Sequence, residues 1–320
     1  MNTKLKKRII DLFTGSFLFI VIIACVSAEE FKTSDRFSLL WEITGNDLQN
    51  PSYLYGTIHI YDTNIFKLPK EIYEAIDRCD NFSLEIDMNN IDQSMLMQRV
   101  FIGNPDSTLD KLLEPEIYAE IRTIPIIKMM GEQVKMFKPF FLQTYLLIDN
   151  PMTVQSVDLQ LNEYAKTNKK NIFGIETMEE QLEMIDKIPL SEQAKSITEI
   201  YGYCKKENLG FHAAGKKIFG KVLNAYREQN IETIALLEKE LGMISSSPGA
   251  SDSVMIAERN VNMANRISDF IKQNKTLFAA VGALHLADYK NMNGVVSLLK
   301  EKGYKLRPIL IKLYDSDNNQ

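Results

Sequence analysis

Two of the three histidines in this 320-residue chain stand in the same short pattern, three residues after a glycine. His59 ends "GTIH" at 56–59, and His285 ends "GALH" at 282–285. Each pattern follows an apolar run with the length and composition of a buried strand. An imidazole at the end of such a strand can transfer protons near neutral pH or bind a metal ion. The alternative interpretation is a pair of core histidines, each hydrogen-bonded to a backbone carbonyl.

Charged side chains interrupt three other apolar segments. In "SLEID", Glu85 and Asp87 stand two apart and would share one face of a strand, where two acids are costly unless they meet a cation. Glu176 follows the apolar run "NIFGI". Glu258 and Arg259 stand among apolar residues of a predicted long helix, although an ordinary surface pair would also explain them. The candidate site residues from these patterns are His59, Glu85, Asp87, Glu176, Glu258, Arg259 and His285. Asp62, Asp158 and Asp288 are weaker candidates, because aspartates in loops commonly cap helices.

The elements that would position these residues form a repeated arrangement. The sequence predicts strand, strand, helix and strand over 37–90, and strand, helix and strand over 275–313. In both segments a strand leads into the glycine–histidine pattern, and a helix and a second strand follow. Ser83 and Ile309, in the two second strands, each lie 24 residues after the histidine. This spacing predicts one β-loop-helix-β unit used twice, at the two ends of the chain.

The middle of the chain, residues 91–273, is predicted to be a large, mainly helical insertion with one short strand at 171–176. A hydrophobic strand followed by a helix is typical of parallel strands buried on both faces. We therefore predict an α/β (mixed α+β) fold, a single domain over 29–320 whose central sheet is built from the two halves. The histidines would lie at corresponding strand ends beside a common crevice. The glycines would permit a bend, a positive φ or a close backbone approach.

The first 28 residues have the layout of a secretory signal peptide. Four basic residues at 4–8 precede an uncharged stretch at 12–26, and small residues stand before Glu29. The uncharged stretch is short for a spanning helix, which needs about 20 residues. Two alternatives stay open: a lipoprotein in which "IIAC" ends in a lipidated Cys25, and an uncleaved anchor. All three predict export to the periplasm or outer surface of the cell envelope, and the last two add membrane attachment through the N-terminus.

Composition and cysteine content narrow the class of protein. Hydrophobic residues make up 45% of the chain and charged residues 25%, as in folded globular proteins. A net charge of −5, with acids and bases interspersed, argues against a nucleic-acid partner. Beyond the N-terminal segment, only Cys79 and Cys204 remain, without the spacing of metal ligands. An exported protein permits a disulfide between them, but Cys79 on an apolar helical face favours two buried thiols.

Several segments together resemble the TraB/GumN family, which is related to the Tiki metalloproteases and more distantly to ChaN-like and erythromycin-esterase-like proteins. They run in the family's order from residue 37 onward. They are "LWEITGNDLQNPSYLYGTIHI", "LEID", "KPFFL", "VDLQLNEYAKTNKKNIFGIETMEEQL", "ERN" and "VGALHLAD". The chain departs from many members after His285, where it has "LADYKNMNG" in place of Pro-Gly and a glycine-rich turn.

The resemblance implies a mixed α/β core and site residues at His59, Glu85, Arg259 and His285, with Glu176 in support. Tiki relatives are metal-dependent peptidases, so the resemblance implies a hydrolase of peptide bonds. His59, His285 and Glu85 would bind a divalent ion such as Mn²⁺, Co²⁺ or Zn²⁺. Glu85 could instead act as the general base, and Arg259 would stabilise a developing oxyanion. The expected substrate is a peptide or protein.

Two other functions stay open at this point. ChaN-like relatives associate with haem, and TraB-type proteins are linked to shutting down peptide signals. A non-catalytic protein that binds a peptide or haem in the cell envelope would fit both relatives, because sequestration can silence a peptide without cleaving it. The esterase-like relatives imply a third function, hydrolysis of a non-peptide ester.

The predicted export is open to a direct test. Mass spectrometry of the protein isolated from its host should find a chain that begins at Glu29, or at a lipidated Cys25. The basic segment and uncharged stretch would then have acted as a signal for the export machinery. A full-length chain in the soluble cytosolic fraction would contradict the prediction.

Overall fold

The structure is a computed structural model, and it describes residues 38–58, 66–149, 156–230, 233–234, 237, 251–288 and 292–315. The predicted signal segment at 1–28, with Cys25, lies outside the described residues, and so do His59 and Asp62. The site is therefore built below from Glu85, Glu176, Arg259 and His285.

One mixed sheet of six strands forms the centre of the described part of the chain. Its strands, in chain order, are β1 (Leu40–Thr44), β2 (Ser52–Thr57), β4 (Asn81–Leu84), β5 (Asn171–Gly174), β6 (Leu277–Gly282) and β7 (Lys305–Ile309). Their order across the sheet is β5-β4-β6-β2-β1-β7. The first four in this order are parallel, and β1 is antiparallel to both of its neighbours. A separate short ladder joins β3 (Phe66–Lys67) to β8 (Tyr314–Asp315).

Helices make up most of the rest of the described chain. They are α1 (Lys70–Asp77), α2 (Gln93–Val100), α3 (Leu109–Leu112), α4 (Pro115–Ile121), α5 (Pro125–Met130), α6 (Pro139–Leu147), α7 (Val157–Thr167), α8 (Met178–Lys187), α9 (Leu190–Glu207), α10 (Phe211–Arg227), α11 (Ser251–Ile271) and α12 (Val295–Glu301). A 3₁₀ turn at Gly131–Met136 follows α5, and a second one at Ala283–His285 follows β6. None of the described helices is both long and apolar enough to cross a membrane.

The predicted fold class is confirmed, and the strands of the two repeated segments interleave in the sheet. The first segment runs β2–α1–β4 and the second runs β6–α12–β7. Strand β6 lies between β2 and β4 and pairs in parallel with both. The two segments therefore do not form separate halves of the sheet, because β6 of the second segment lies between β2 and β4 of the first.

Apolar side chains cover both faces of this sheet, in agreement with the buried parallel strands predicted. On one face, Tyr55 and Phe278 belong to a large core that includes residues of the helices between β4 and α11. On the other face, Leu54 and Ala279 pack with residues of α11 and α12. The alternation follows from the strand period of two. Long helix α11 is thereby held against the sheet along its apolar stripe.

The two cysteines agree with the favoured interpretation. Cys79 and Cys204 are both buried and unpaired thiols. Burial raises the pKa of the Cys79 thiol to about 12 and that of Cys204 to about 11. Both thiols are therefore protonated at neutral pH and serve as small apolar core groups.

Strand ends differ from the sequence-based boundaries, and the difference changes where the acids lie. Strand β4 ends at Leu84 and β5 at Gly174, so Glu85 and Glu176 follow their strands. The predicted pairing of Glu85 with Asp87 on one strand face is wrong. Asp87 Oδ1 accepts a hydrogen bond from the backbone N–H of Asn89 at 2.9 Å. Asp87 therefore lies in a local turn beyond the strand.

Close packing explains why the first glycine of the repeated pattern, Gly56, is required. A Cβ at Gly56 would lie 2.7 Å from Leu286 Cδ1 and 3.0 Å from Ala283 Cα. The turn that carries the second histidine therefore packs directly on the backbone of β2, which requires a residue without a side chain. Gly282 has φ −54°, so a positive φ is not the reason for the second glycine.

We expect Gly56→Ala to destabilise the protein by about 1–3 kcal/mol, because the added methyl group must displace the backbone of Ala283. Gly220→Ala in α10 is the matched control, since nothing lies within 4 Å of a Cβ there. That control should gain about 0.5–1 kcal/mol, as is usual for glycine to alanine in a helix. Urea unfolding of both variants measures the difference, and equal stability would contradict the close packing.

Candidate functional site

The candidate site lies at the edge of the sheet where the parallel strands end. In the register of the sheet, Thr57 pairs with Gly282 and Leu84 with Gly174, so the carboxyl ends of four strands meet there. The chain continues from these ends into the predicted site residues, which is where ligands bind in open α/β sheets. Glu85 follows β4, Glu176 follows β5, His285 ends the 3₁₀ turn after β6, and Arg259 reaches the edge from α11.

The structure brings these four predicted residues together in a buried cluster. Their exposed fractions are 9% for Glu85, 6% for Glu176, 3% for Arg259 and 7% for His285. The chain reaches them at four places that are far apart in sequence, and only the folded sheet edge makes them neighbours. His59, which follows Ile58 after the end of β2, lies outside the described residues.

Arg259 joins the two carboxylates. Its Nη2 donates to Glu85 Oε2 at 2.6 Å and to Glu176 Oε2 at 2.6 Å. Its Nε donates to Glu176 Oε1 at 3.0 Å. The planar guanidinium binds Glu176 through Nε and Nη2, and Nη2 also binds Glu85. A lysine ammonium cannot reproduce this geometry. Arg259 fixes the relative position of the ends of β4 and β5.

Arg259 is the cation that contacts both carboxylates of this cluster. Burial by itself lowers the pKa of Arg259, but Glu85 and Glu176 raise it above its ordinary value, so the guanidinium stays protonated. One cation then meets two carboxylates. Two buried carboxylates that share one guanidinium favour a further cation nearby.

The second oxygen of Glu85 faces β6 and His285. Oε1 accepts a hydrogen bond from the backbone N–H of Gly282 at 2.6 Å. The same oxygen lies 3.7 Å from His285 Nε2. That separation is longer than a hydrogen bond. Gly282 therefore contributes its backbone N–H to the site, and Glu85 presents Oε1 toward the imidazole while Arg259 holds Oε2.

Helix α8 closes one side of the cluster. Gln181 Nε2 donates to Glu176 Oε2 at 3.0 Å and lies 3.3 Å from Glu85 Oε2. The helix begins with a capping box between Thr177 and Glu180. The hydrogen bond from Arg266 lowers the pKa of Glu180 to about 2, and Arg266 also donates to the carbonyl of Ile175. The start of α8 is thereby attached to α11, the helix that carries Arg259.

Three polar side chains at the site were not among the sequence candidates or were weak ones. Asn260 Oδ1 lies 2.6 Å from His285 Nδ1, and Gln181 contacts both carboxylates. Asp158, in the first turn of α7, accepts a hydrogen bond from Thr57 Oγ1 at 2.8 Å. The segments "ERN" and "MEEQL" contained Asn260 and Gln181, but nothing in their spacing indicated which side chains turn inward. Glu258, by contrast, is exposed.

The described donor atoms fit only part of a site for a divalent metal ion. Within the described residues, no three His, Cys, Asp or Glu side chains converge closely enough to form a metal site. The described part contributes the imidazole of His285 and a carboxylate oxygen of Glu85, and the amide of Asn260 contacts the other imidazole nitrogen. One nitrogen and one oxygen ligand of this kind suit a transition-metal ion. His285 and Glu85 would therefore supply two ligands, and His59 is the predicted further ligand.

The buried guanidinium should contribute much more to stability than an exposed one on the same helix. We expect Arg259→Met to destabilise the protein by about 3–5 kcal/mol, because it leaves two buried carboxylates without their cation. Arg266→Met, at a side chain that is 41% exposed, should cost about 1 kcal/mol. Adding Glu85→Gln and Glu176→Gln to Arg259→Met should recover part of the loss. Equal losses in the two single variants, measured by urea unfolding, would contradict the role assigned to the buried ion pairs.

Comparisons with known proteins identify the family of the chain. The sequence profile of the TraB/PrgY/gumN family matches residues 39–308. The protein named Metalloprotease TIKI1 from Danio rerio is 20% identical over 349 aligned positions, which cover 91% of this chain and 69% of that protein. No solved structure matches the chain significantly. Because the family profile spans most of the chain, including Glu85, Glu176, Arg259 and His285, the chain belongs to the TraB/PrgY/gumN family.

Proposed function

We propose that this protein is an exported, metal-dependent hydrolase that cleaves peptide bonds at the carboxyl edge of its sheet. The observation that carries the proposal is the pair formed by His285 Nε2 and Glu85 Oε1, which face each other at 3.7 Å in a buried place. Both atoms are electron-pair donors when the neutral imidazole carries its proton on Nδ1 and the carboxylate is ionised. Two such atoms repel each other unless a cation or a proton lies between them.

The charge balance supports a cation at this point. Arg259 shares its one positive charge between the two carboxylates. Oε1 of Glu85 accepts a hydrogen bond from the Gly282 N–H and lies toward His285. Proton transfer to His285 would also balance the charge, so the proposal requires a measurement of metal content. A divalent metal ion bound there would lower the pKa of a water molecule and polarise a substrate carbonyl.

The side chains of the cluster then take distinct roles. His285 and Glu85 hold the metal from the described side, and His59 is the proposed partner ligand. Glu85 is also placed to accept a proton through Oε1, because Arg259 and Gln181 occupy Oε2. Arg259, with its two carboxylate partners, holds Glu85 in position. We assign it to that role ahead of oxyanion stabilisation, since Nε and Nη2 both donate to carboxylates.

Peptide cleavage is the proposed reaction because the similar zebrafish protein is named a metalloprotease. The basic and uncharged N-terminal segment supports action outside the cytoplasm, on peptides or proteins of the cell envelope or its surroundings. Mn²⁺, Co²⁺ and Zn²⁺ all suit an imidazole and carboxylate donor set, so the proposal covers the three ions equally.

The decisive experiment measures metal content and peptide hydrolysis on the same preparation. Elemental analysis of the mature protein should find a stoichiometric divalent transition metal, and a diverse peptide library should be cleaved only by the metal-loaded form. His285→Ala and His59→Ala should each lose the metal. The double variant should lose little more than either single one, because ligands of one ion act as a unit.

Glu85→Gln separates the two roles of that carboxylate. Loss of the metal would identify Glu85 as a ligand, whereas retained metal with turnover reduced about 10²–10⁴-fold would identify it as the general base. His212→Gln is the matched control, since His212 is the third histidine and contacts the carbonyl of Tyr145 in the helical region. It should keep both metal and activity. A wild-type protein with no affinity for these metals and no peptidase activity would overturn the proposal.

A further inference from the structure

Asn260 is the one amide in the described site that contacts the imidazole of His285. It lies on α11 directly after Arg259 and is 2% exposed. Its Oδ1 lies 2.6 Å from His285 Nδ1. Because consecutive residues of a helix point about 100° apart, one turn of α11 can supply Arg259 to the carboxylates and Asn260 to the imidazole.

The orientation of the Asn260 amide is determined by its second contact. Nδ2 donates to the backbone carbonyl of Asn293 at 3.1 Å. A carbonyl oxygen can only accept, so the atom of Asn260 that faces Asn293 must be the NH₂ group. The amide oxygen therefore faces His285. The reversed amide would place two oxygens against each other at Asn293 and would lose the hydrogen bond to that carbonyl.

The amide oxygen determines which nitrogen of His285 carries the proton. An amide oxygen only accepts, so the 2.6 Å contact requires an N–H at Nδ1. This holds for the neutral ring and for the protonated ring alike. In the neutral ring the lone pair is then on Nε2, the nitrogen that faces Glu85 Oε1 at 3.7 Å. The other tautomer would direct a lone pair at the oxygen of Asn260.

We propose that Asn260 is a positioning residue of the site, which holds His285 as the Nδ1–H tautomer so that Nε2 faces Glu85 with its lone pair. Its amide acts through the imidazole and does not touch the reacting atoms. An asparagine suits this role better than an aspartate here, because a third carboxylate would add to the negative charge of the cluster and could not donate to Asn293.

The tautomer of His285 can be measured without metal and without substrate. Long-range ¹H–¹⁵N NMR of the metal-free protein, labelled at histidine, distinguishes a protonated from an unprotonated ring nitrogen. The chain has only three histidines, so His59→Gln and His212→Gln variants complete the assignment. We expect the neutral ring of His285 to carry its proton on Nδ1. A neutral ring protonated on Nε2 would overturn the proposal.

Variants at position 260 test whether the Asn260 amide holds the tautomer of His285. Asn260→Ala should let His285 populate the Nε2–H tautomer, and it should weaken Zn²⁺ binding about 10–100-fold, as loss of a partner of a metal-binding histidine does. Asn260→Asp keeps an acceptor at Nδ1 and should keep the tautomer. Asn262→Ala, at an exposed position of the same helix, is the matched control and should change neither.

The Zn²⁺ measurement rests on the proposed function, whereas the NMR measurement does not. An Nδ1–H tautomer that is lost in Asn260→Ala, in a protein without affinity for Zn²⁺, would keep the positioning role and reject the metal site. A protein that binds Zn²⁺ equally well with and without Asn260, and whose tautomer is unchanged, would reject the positioning role alone. If Asn260→Ala does not fold, the wild-type tautomer and its retention in Asn260→Asp decide the matter.

Discussion

The buried contact of Arg259 with two carboxylates is the constraint on which the rest of the site depends. A guanidinium and two carboxylates lose their hydration at the sheet edge, and such a cluster is tolerated only when its hydrogen bonds are made with good geometry. Meeting that requirement fixes the ends of β4 and β5 against α11. Glu85 then has one oxygen held by Arg259 and the other directed at His285 and the Gly282 N–H. A displacement of α11 would break these contacts together.

This dependence gives the helical insertion a direct part in the site. Strand β5 and helices α8 and α11 all come from the predicted insertion, and they supply Glu176, Gln181, Arg259 and Asn260. The strands of the two repeated segments supply Glu85 and His285. A sheet built from those segments alone would lack the cation that holds Glu85 and the amide that holds His285. The insertion and the sheet are thus joined by electrostatics as well as by apolar packing.

The proposed chemistry starts from two buried carboxylates that share one guanidinium. Parallel strands end together at one edge, and buried carboxylates there are costly unless they meet a cation. The cluster nevertheless directs a carboxylate oxygen at the imidazole nitrogen that carries the lone pair. Proteins tolerate such local conflicts mainly at functional sites, where a ligand or a proton resolves them. Membership in the TraB/PrgY/gumN family and similarity to a protein named a metalloprotease are consistent with a resolving metal ion.

Much of this could be predicted from the sequence, because it depends on local patterns. The strands and helices follow from apolar periodicity, and the rarity of histidine drew attention to His285. Charges in apolar segments pointed to Glu85, Glu176 and Arg259. The strand ends, the interleaving of the segments and the need for Gly56 depended on contacts between distant residues, which no local pattern encodes. The role of Asn260 was decided by tertiary structure alone, since an inward asparagine is recognised only by the two partners that determine its orientation.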